Sequence, residues 1–191
     1  MLYIFFLFQL ASFLFLLFIG FVIPPLQCLG ALGMQSKAIP DSKISASSIW
    51  DANHSARRSR LNTVRQGSQI GSWSARYNDA GQWLRVDFSK GIKFTGIATQ
   101  GRQDANQWVK SYKLKFSVDG GHFEDYNGGH VFAGNSDRNT IVGHLLHPAI
   151  HAQSIKIVPV SWYGHISMRF ELYGCPEGTV VDDVTLAIVH N

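Results

Sequence analysis

The sequence predicts an all-β domain, a sandwich or jelly roll built of short strands. Three observations predict it. After residue 30, helical periodicity is poor and two-residue alternation of apolar and polar side chains is frequent. Clusters of turn-forming residues separate the alternating runs. The one strongly apolar, helix-compatible segment sits ahead of all of them, at the N-terminus.

That leader, residues 1–27, carries no charge and holds seven of the 13 Phe: Phe5, Phe6, Phe8, Phe13, Phe15, Phe18 and Phe21. Pro24-Pro25 ends any helix there. A secretory signal usually opens on basic residues, and this one has none. Its apolar run also approaches the ~20 residues that span a bilayer. Two readings therefore stand, a cleaved signal peptide and an uncleaved anchor. Both place the rest of the chain outside the cytosol. Cys28 and Cys175 are the only two cysteines, and an even pair in an exported chain predicts one disulfide. It would tie together the ends of a domain spanning residues 28–175.

Within that span, Leu84, Val86 and Phe88 alternate with Trp83, Arg85 and Asp87. Leu114, Phe116 and Val118 alternate with Lys113, Lys115 and Ser117. Ile155 and Ile157 follow the same rule, as do Met168, Phe170 and Leu172 against Arg169, Glu171 and Tyr173. Each run puts one side chain in and the next out, as in a half-buried strand. Asn78-Asp79-Ala80-Gly81, Asp119-Gly120-Gly121 and Asn127-Gly128-Gly129 supply turns. Residues 176–191 show no such pattern and are read as a C-terminal tail.

The chain has 17 basic and 13 acidic residues, a formal net charge of +4. It shows no phosphate-binding Gly-rich loop, no G-x-S-x-G and no H-E-x-x-H. No nucleic-acid partner is expected of such an exported domain. His144, His147 and His151 have helical spacing, but Pro148 interrupts them, so no metal site is assigned. The chain is not expected to be an enzyme or to need a cofactor, and calcium is left open. Arg57-Arg58-Ser59-Arg60 is either a solvated loop or a site for an anionic partner. Asn53-His54-Ser55 is an N-glycosylation sequon.

At these residues a family resemblance becomes visible. Leu32-Gly33-Met34-Gln35-Ser36, Ile39-Pro40-Asp41-Ser42 and Ser59-Arg60-Leu61-Asn62 resemble the opening of the coagulation factor 5/8 type C, or discoidin, domain. The resemblance continues through Gln82-Trp83-Leu84-Arg85-Val86-Asp87-Phe88, Thr99-Gln100-Gly101-Arg102 and Trp108-Val109-Lys110-Ser111-Tyr112. It closes on Ser167-Met168-Arg169-Phe170-Glu171-Leu172-Tyr173-Gly174-Cys175. It implies an eight-stranded jelly-roll sandwich of the galactose-binding-like kind, with a disulfide joining its ends. It also implies an extracellular binding module whose ligand sits among loops, or spikes, at one end.

Here the spikes would be residues 49–58, 76–82 and 102–107. The ligand-binding candidates are Trp50, Asp51, His54, Arg57, Arg58, Ser74, Tyr77, Asn78, Arg102, Asp104 and Trp108. Their first spike lines up with the neuropilin b-domain pattern, with Trp50 and His54 at its aromatic positions. Asn78 stands where that pattern is acidic, and the third spike is much shorter, which argues against a grip on a C-terminal arginine. Large apolar side chains are few at the tips, so strong membrane insertion is not expected. Trp73, Trp83, Trp162 and Tyr173 are expected to pack the barrel. Arg169 and Asp87 are expected to make structural bonds. The resulting expectation is adhesion or recognition through a cell-surface glycan or glycoprotein. Peripheral binding to anionic phospholipid is the alternative, and a receptor ectodomain fragment that binds a protein is a third.

Overall fold

The apolar residues of the alternating runs line one interior: Leu84, Val86, Leu114, Ile155, Ile157, Met168, Phe170 and Leu172 are all buried. The computed structural model describes residues 28–178. The expected signal segment, and all but the first three residues of the expected tail, lie outside the described residues. The strands are β1 (Ile44–Ala46), β2 (Trp73–Ser74), β3 (Leu84–Gln100), β4 (Trp108–Ser117), β5 (Glu124–Asp125), β6 (Val131–Ala133), β7 (Val142–Tyr163) and β8 (Ser167–Pro176). Their order is β2-β8-β3-β7-β4-β5, with β1 on β3 and β6 on β4. Every pairing among them is antiparallel. The domain is all-β, as the alternation predicts.

β3 changes partner along its length. Leu84 pairs with Ala46 of β1 on one side and Ile157 of β7 on the other. Past the irregularity between Asp87 and Ile92, β8 replaces β1, from Ile92 opposite Pro176 to Gln100 opposite Arg169. One strand thus serves two parts of the sandwich, and its inner residues Ile92, Phe94 and Ile97 continue the core begun by Leu84 and Val86. Trp73 is wholly buried, and its Nε1 donates to the Ser48 carbonyl at 2.9 Å. Trp162 packs against the same core. Trp83 and Tyr173 are half-buried, and Trp83 carries the Lys156 ammonium 4.8 Å from its ring centroid.

Two inward or outward expectations differ from the structure. Val118 is expected inward but is 65% exposed. β4 ends at Ser117, and the Asp119 turn takes over there: its Oδ1 accepts from the Ser117 hydroxyl and the Gly121 and His122 amides. Arg169 and Glu171 are expected outward, yet each is only 2% exposed. Loops cover their face of β8. Glu171 accepts from the amides of Gly33, Met34 and Gln35 at 3.3, 2.9 and 2.8 Å. Arg169 donates to the carbonyls of Gly101, Thr63 and Arg138 at 2.7, 2.9 and 2.7 Å. The structural roles expected of Arg169 and Asp87 are these bonds and, for Asp87, its Arg85 and Ser154 partners.

Cys28 and Cys175 are disulfide-bonded, with Cα atoms 5.4 Å apart and a sequence separation of 147. Beside the bond, the Leu32 amide donates to the Leu172 carbonyl and the Gly174 amide to the Gly30 carbonyl, both at 2.8 Å. Glu177 continues the ordered contacts past Cys175. Its amide donates to the Gly91 carbonyl, and its carboxylate lies 3.0 Å from His151 Nδ1. Among the described residues no helix is long and apolar enough to cross a membrane.

Candidate functional site

The first spike is organised by Asp51. Its Oδ1 caps the 3-10 turn Ala52–His54, accepting from the Asn53 and His54 amides at 2.8 and 3.2 Å. The same oxygen lies 2.7 Å from His54 Nδ1. These bonds, the His54 side chain first, hold the Asp51 carboxyl below its usual value. With Nδ1 engaged, the His54 side chain is 11% exposed, and its Nε2 has no protein partner among the described residues. The Trp50 amide donates to the Ser74 carbonyl at 2.9 Å, which fixes the spike against β2. The Trp50 indole is 57% exposed and meets His165 edge-on at 5.4 Å.

The third spike closes on itself, the Arg102 amide donating to the Gln107 carbonyl at 2.9 Å. Arg102 Nε donates to Asp104 at 2.9 Å and Nη1 to Gln107 Oε1 at 3.0 Å. Burial pushes the Asp104 carboxyl up, but the Arg102 bond and charge outweigh it and leave the group below its usual value. Gln107 Oε1 also accepts from Ser167 Oγ at 3.1 Å, and Ser167 bonds Ser74 Oγ at 2.7 Å. One hydrogen-bonded chain, Arg102–Gln107–Ser167–Ser74, thus joins the third spike to the ends of β8 and β2. The β7–β8 turn is pinned by Asn78, whose Oδ1 accepts from the Ile166 amide and whose Nδ2 donates to the Gly164 carbonyl.

These elements enclose a cleft of about 260 Å³ lined by Trp50, His54, Ser74, Arg102, Gln107 and His165. It offers an aromatic wall, cationic and amide donors, and a hydroxyl. Of the expected site residues, Trp50, His54, Ser74 and Arg102 line it directly. Asp51 and Asp104 orient His54 and Arg102, and Asn78 holds the turn that carries His165. Trp108 stacks on Tyr163 at 4.5 Å. Tyr77 stands outside the cleft, 56% exposed, with the Arg76 guanidinium 5.8 Å from its ring centroid. Arg57 and Arg58 line a different cleft on the flank. Asn53 of the sequon lies in the Asp51-capped turn, and its carbonyl accepts from the Ile70 amide. Gln107 and His165 were not among the sequence candidates. The available signal for His165 was the turn glycine before it, Gly164, at φ 67°.

An all-β sandwich with a polar, aromatic-walled cleft among its end loops is the architecture of a ligand-binding module. Comparison with known proteins gives the family. The F5/8 type C domain matches residues 43–172. The human EGF-like repeat and discoidin I-like domain-containing protein 3 is 41% identical over 163 residues, covering 78% of this chain and 33% of that protein. Mouse lactadherin is 35% identical over 156 residues, covering 78% and 34%. Discoidin II of Dictyostelium discoideum superposes with a TM-score of 0.70 at 34% identity, covering 77% of this chain and 60% of that one. The chain belongs to the F5/8 type C, or discoidin, domain family. Domains of this family are binding modules rather than enzymes. The chain spans about a third of the length of the first curated relatives it matches.

Proposed function

We propose that the domain is an extracellular recognition module that takes a cell-surface glycan or glycoprotein at its spike end, one sugar ring seated against Trp50. The supporting observation is the cleft itself. Trp50 offers an exposed aromatic face, while the Gln107 amide and Arg102 supply donors, His54 Nε2, opposite the Nδ1–H bonded to Asp51, an acceptor, and Ser74 a hydroxyl around it. Its volume of about 260 Å³ is below the ~300–1,000 Å³ of drug-sized sites, which suits a single ring with the rest of the ligand outside. The Cys28–Cys175 bond accords with an oxidising compartment.

A glycan array probed with the purified protein tests this reading. Binding to a defined set of sugars is expected, with Trp50→Ala weakening it at least tenfold. Because the indole is mostly exposed, that variant should lose no more than about 0.5 kcal/mol of stability. Absence of array binding by a protein with an intact melting transition would sink the proposal.

A second reading has its own support. Trp50, Tyr77 and Tyr163 are 57%, 56% and 53% exposed. Tyr77 belongs to the second spike, and Tyr163 stacks on Trp108 beside the third. Each such ring adds about 1.5–3 kcal/mol if it enters a bilayer interface, and each nearby basic residue about 1 kcal/mol at an anionic surface. Co-sedimentation with vesicles that contain or lack phosphatidylserine separates the two readings. Indifference to headgroup charge excludes the membrane one.

A further inference from the structure

We propose that the flank of the domain carries a second binding site, independent of the spike cleft, for a sulfated polysaccharide. Two adjoining hollows of about 260 and 220 Å³ lie between the loop that carries Lys37 and the segment running from Arg57 to Gln69. They share Lys37, Arg58, Arg60, Thr63 and Gln66, and Arg57 borders the first. None of these residues lines the spike cleft.

The charges in these hollows do not balance. Arg60 is 4% exposed and is neutralised by Asp41 at 2.5 Å. Arg58 is 9% exposed, and its guanidinium donates only to neutral oxygens: Ile70 O at 2.6 Å, Val64 O at 2.5 Å and Gln69 Oε1 at 3.4 Å. Burial first, then the neighbouring Arg57 charge, holds this guanidinium below its usual pKa; Asp104, already engaged by Arg102, offsets part of that. Lys37 and Arg57 are exposed and form no ion pair among the described residues. Four cations therefore face one carboxylate. An anion in the hollows would supply the missing countercharge to a guanidinium that is already held in place, so little ordering is needed on binding.

The surroundings favour a sulfated sugar chain over a membrane. The rim supplies neutral polar groups, the Thr63 hydroxyl and the Gln66 and Gln69 amides, that suit sugar hydroxyls and sulfate oxygens. Val64 is the one exposed large aliphatic side chain lining the hollows, whereas the exposed aromatics Trp50, Tyr77 and Tyr163 belong to the spike end. Two hollows side by side fit successive anionic groups of one linear chain.

The test is titration of the protein with a heparin octasaccharide at several salt concentrations. Because Arg58 and Arg60 are buried and hydrogen-bonded, the probing variant is the exposed pair Lys37→Gln/Arg57→Gln, with its melting transition checked. The expected result is at least tenfold weaker heparin binding and a shallower salt dependence, since fewer counterions are released. Trp50→Ala should bind heparin within twofold of the native protein even where it loses array ligands, which separates this site from the spike reading. The proposal is overturned if the double variant binds heparin like the native protein. It is equally overturned if Trp50→Ala abolishes heparin binding, or if uncharged dextran competes as well as heparin. Loss of phosphatidylserine-vesicle binding by the double variant, with heparin affinity intact, would assign the hollows to lipid instead and overturn it too.

Discussion

Asp119 shows how one exposed side chain fixes a turn. Its Oδ1 accepts from the Gly121 amide at 2.8 Å, the Ser117 hydroxyl at 2.8 Å and the His122 amide at 3.0 Å. These bonds, the Gly121 amide foremost, favour the ionised carboxylate and lower its pKa to about 2 from an ordinary 3.8. A carboxyl group whose folded pKa is depressed contributes stability that is fully present above its unfolded value. That contribution fades as pH falls from about 4 toward 2. Asp119→Asn keeps an acceptor and removes the charge. Its urea midpoint should fall below that of the native protein by a constant margin from pH 5 to 7, and the margin should close toward pH 2. A margin unchanged at pH 2 would show that the charge is not what holds the turn.

Strand β8 is buried on both faces from Ser167 to Leu172, so its polar side chains must find partners inside the protein. Replacing Glu171 by Leu would leave the Gly33, Met34 and Gln35 amides without their acceptor. At ~1–3 kcal/mol per buried unsatisfied group, the expected loss is at least about 3 kcal/mol by urea unfolding. Faster amide exchange at Met34 and Gln35 should accompany it. A loss below 1 kcal/mol would mean that water replaces the carboxylate. The same strand marks what the sequence could disclose. Its two-residue period locates the apolar face of Met168, Phe170 and Leu172, but it reports polarity, not burial. Arg169 and Glu171 look like surface residues until loops from residues 33–35, 63, 101 and 138 are seen to cover them. The candidate site divides in the same way. Trp50, His54, Ser74 and Arg102 were legible because they lie in segments whose local wording matches a family. Gln107 and His165 come from a loop end and a turn, where no periodicity operates; Gly164 marks the turn but not the role of His165, which shows only in its contact with Trp50, as that of Gln107 does in its bond from Ser167.

At the scale of the molecule, the disulfide and the spike cleft sit at opposite ends of β8. Ser167 bonds into the cleft network and Cys175 closes the chain ends, eight positions further on. At ~3.3 Å per residue the two are roughly 26 Å apart along the strand. The bond spans 147 positions, for which the chain-entropy model gives an upper figure on the order of 5 kcal/mol, acting on the unfolded chain. The amide bonds of Leu32 and Gly174 to the facing strand segments remain without it, so the native ends have a second means of staying paired. A Cys28→Ser/Cys175→Ser variant should therefore unfold at distinctly lower urea, by roughly 2–5 kcal/mol. Its folded fraction should bind array ligands with native affinity. Reduction of the native protein by dithiothreitol should reproduce the same midpoint. An altered ligand affinity with an unchanged midpoint would mean instead that the bond shapes the spike end in the folded state, which its position in β8 does not predict.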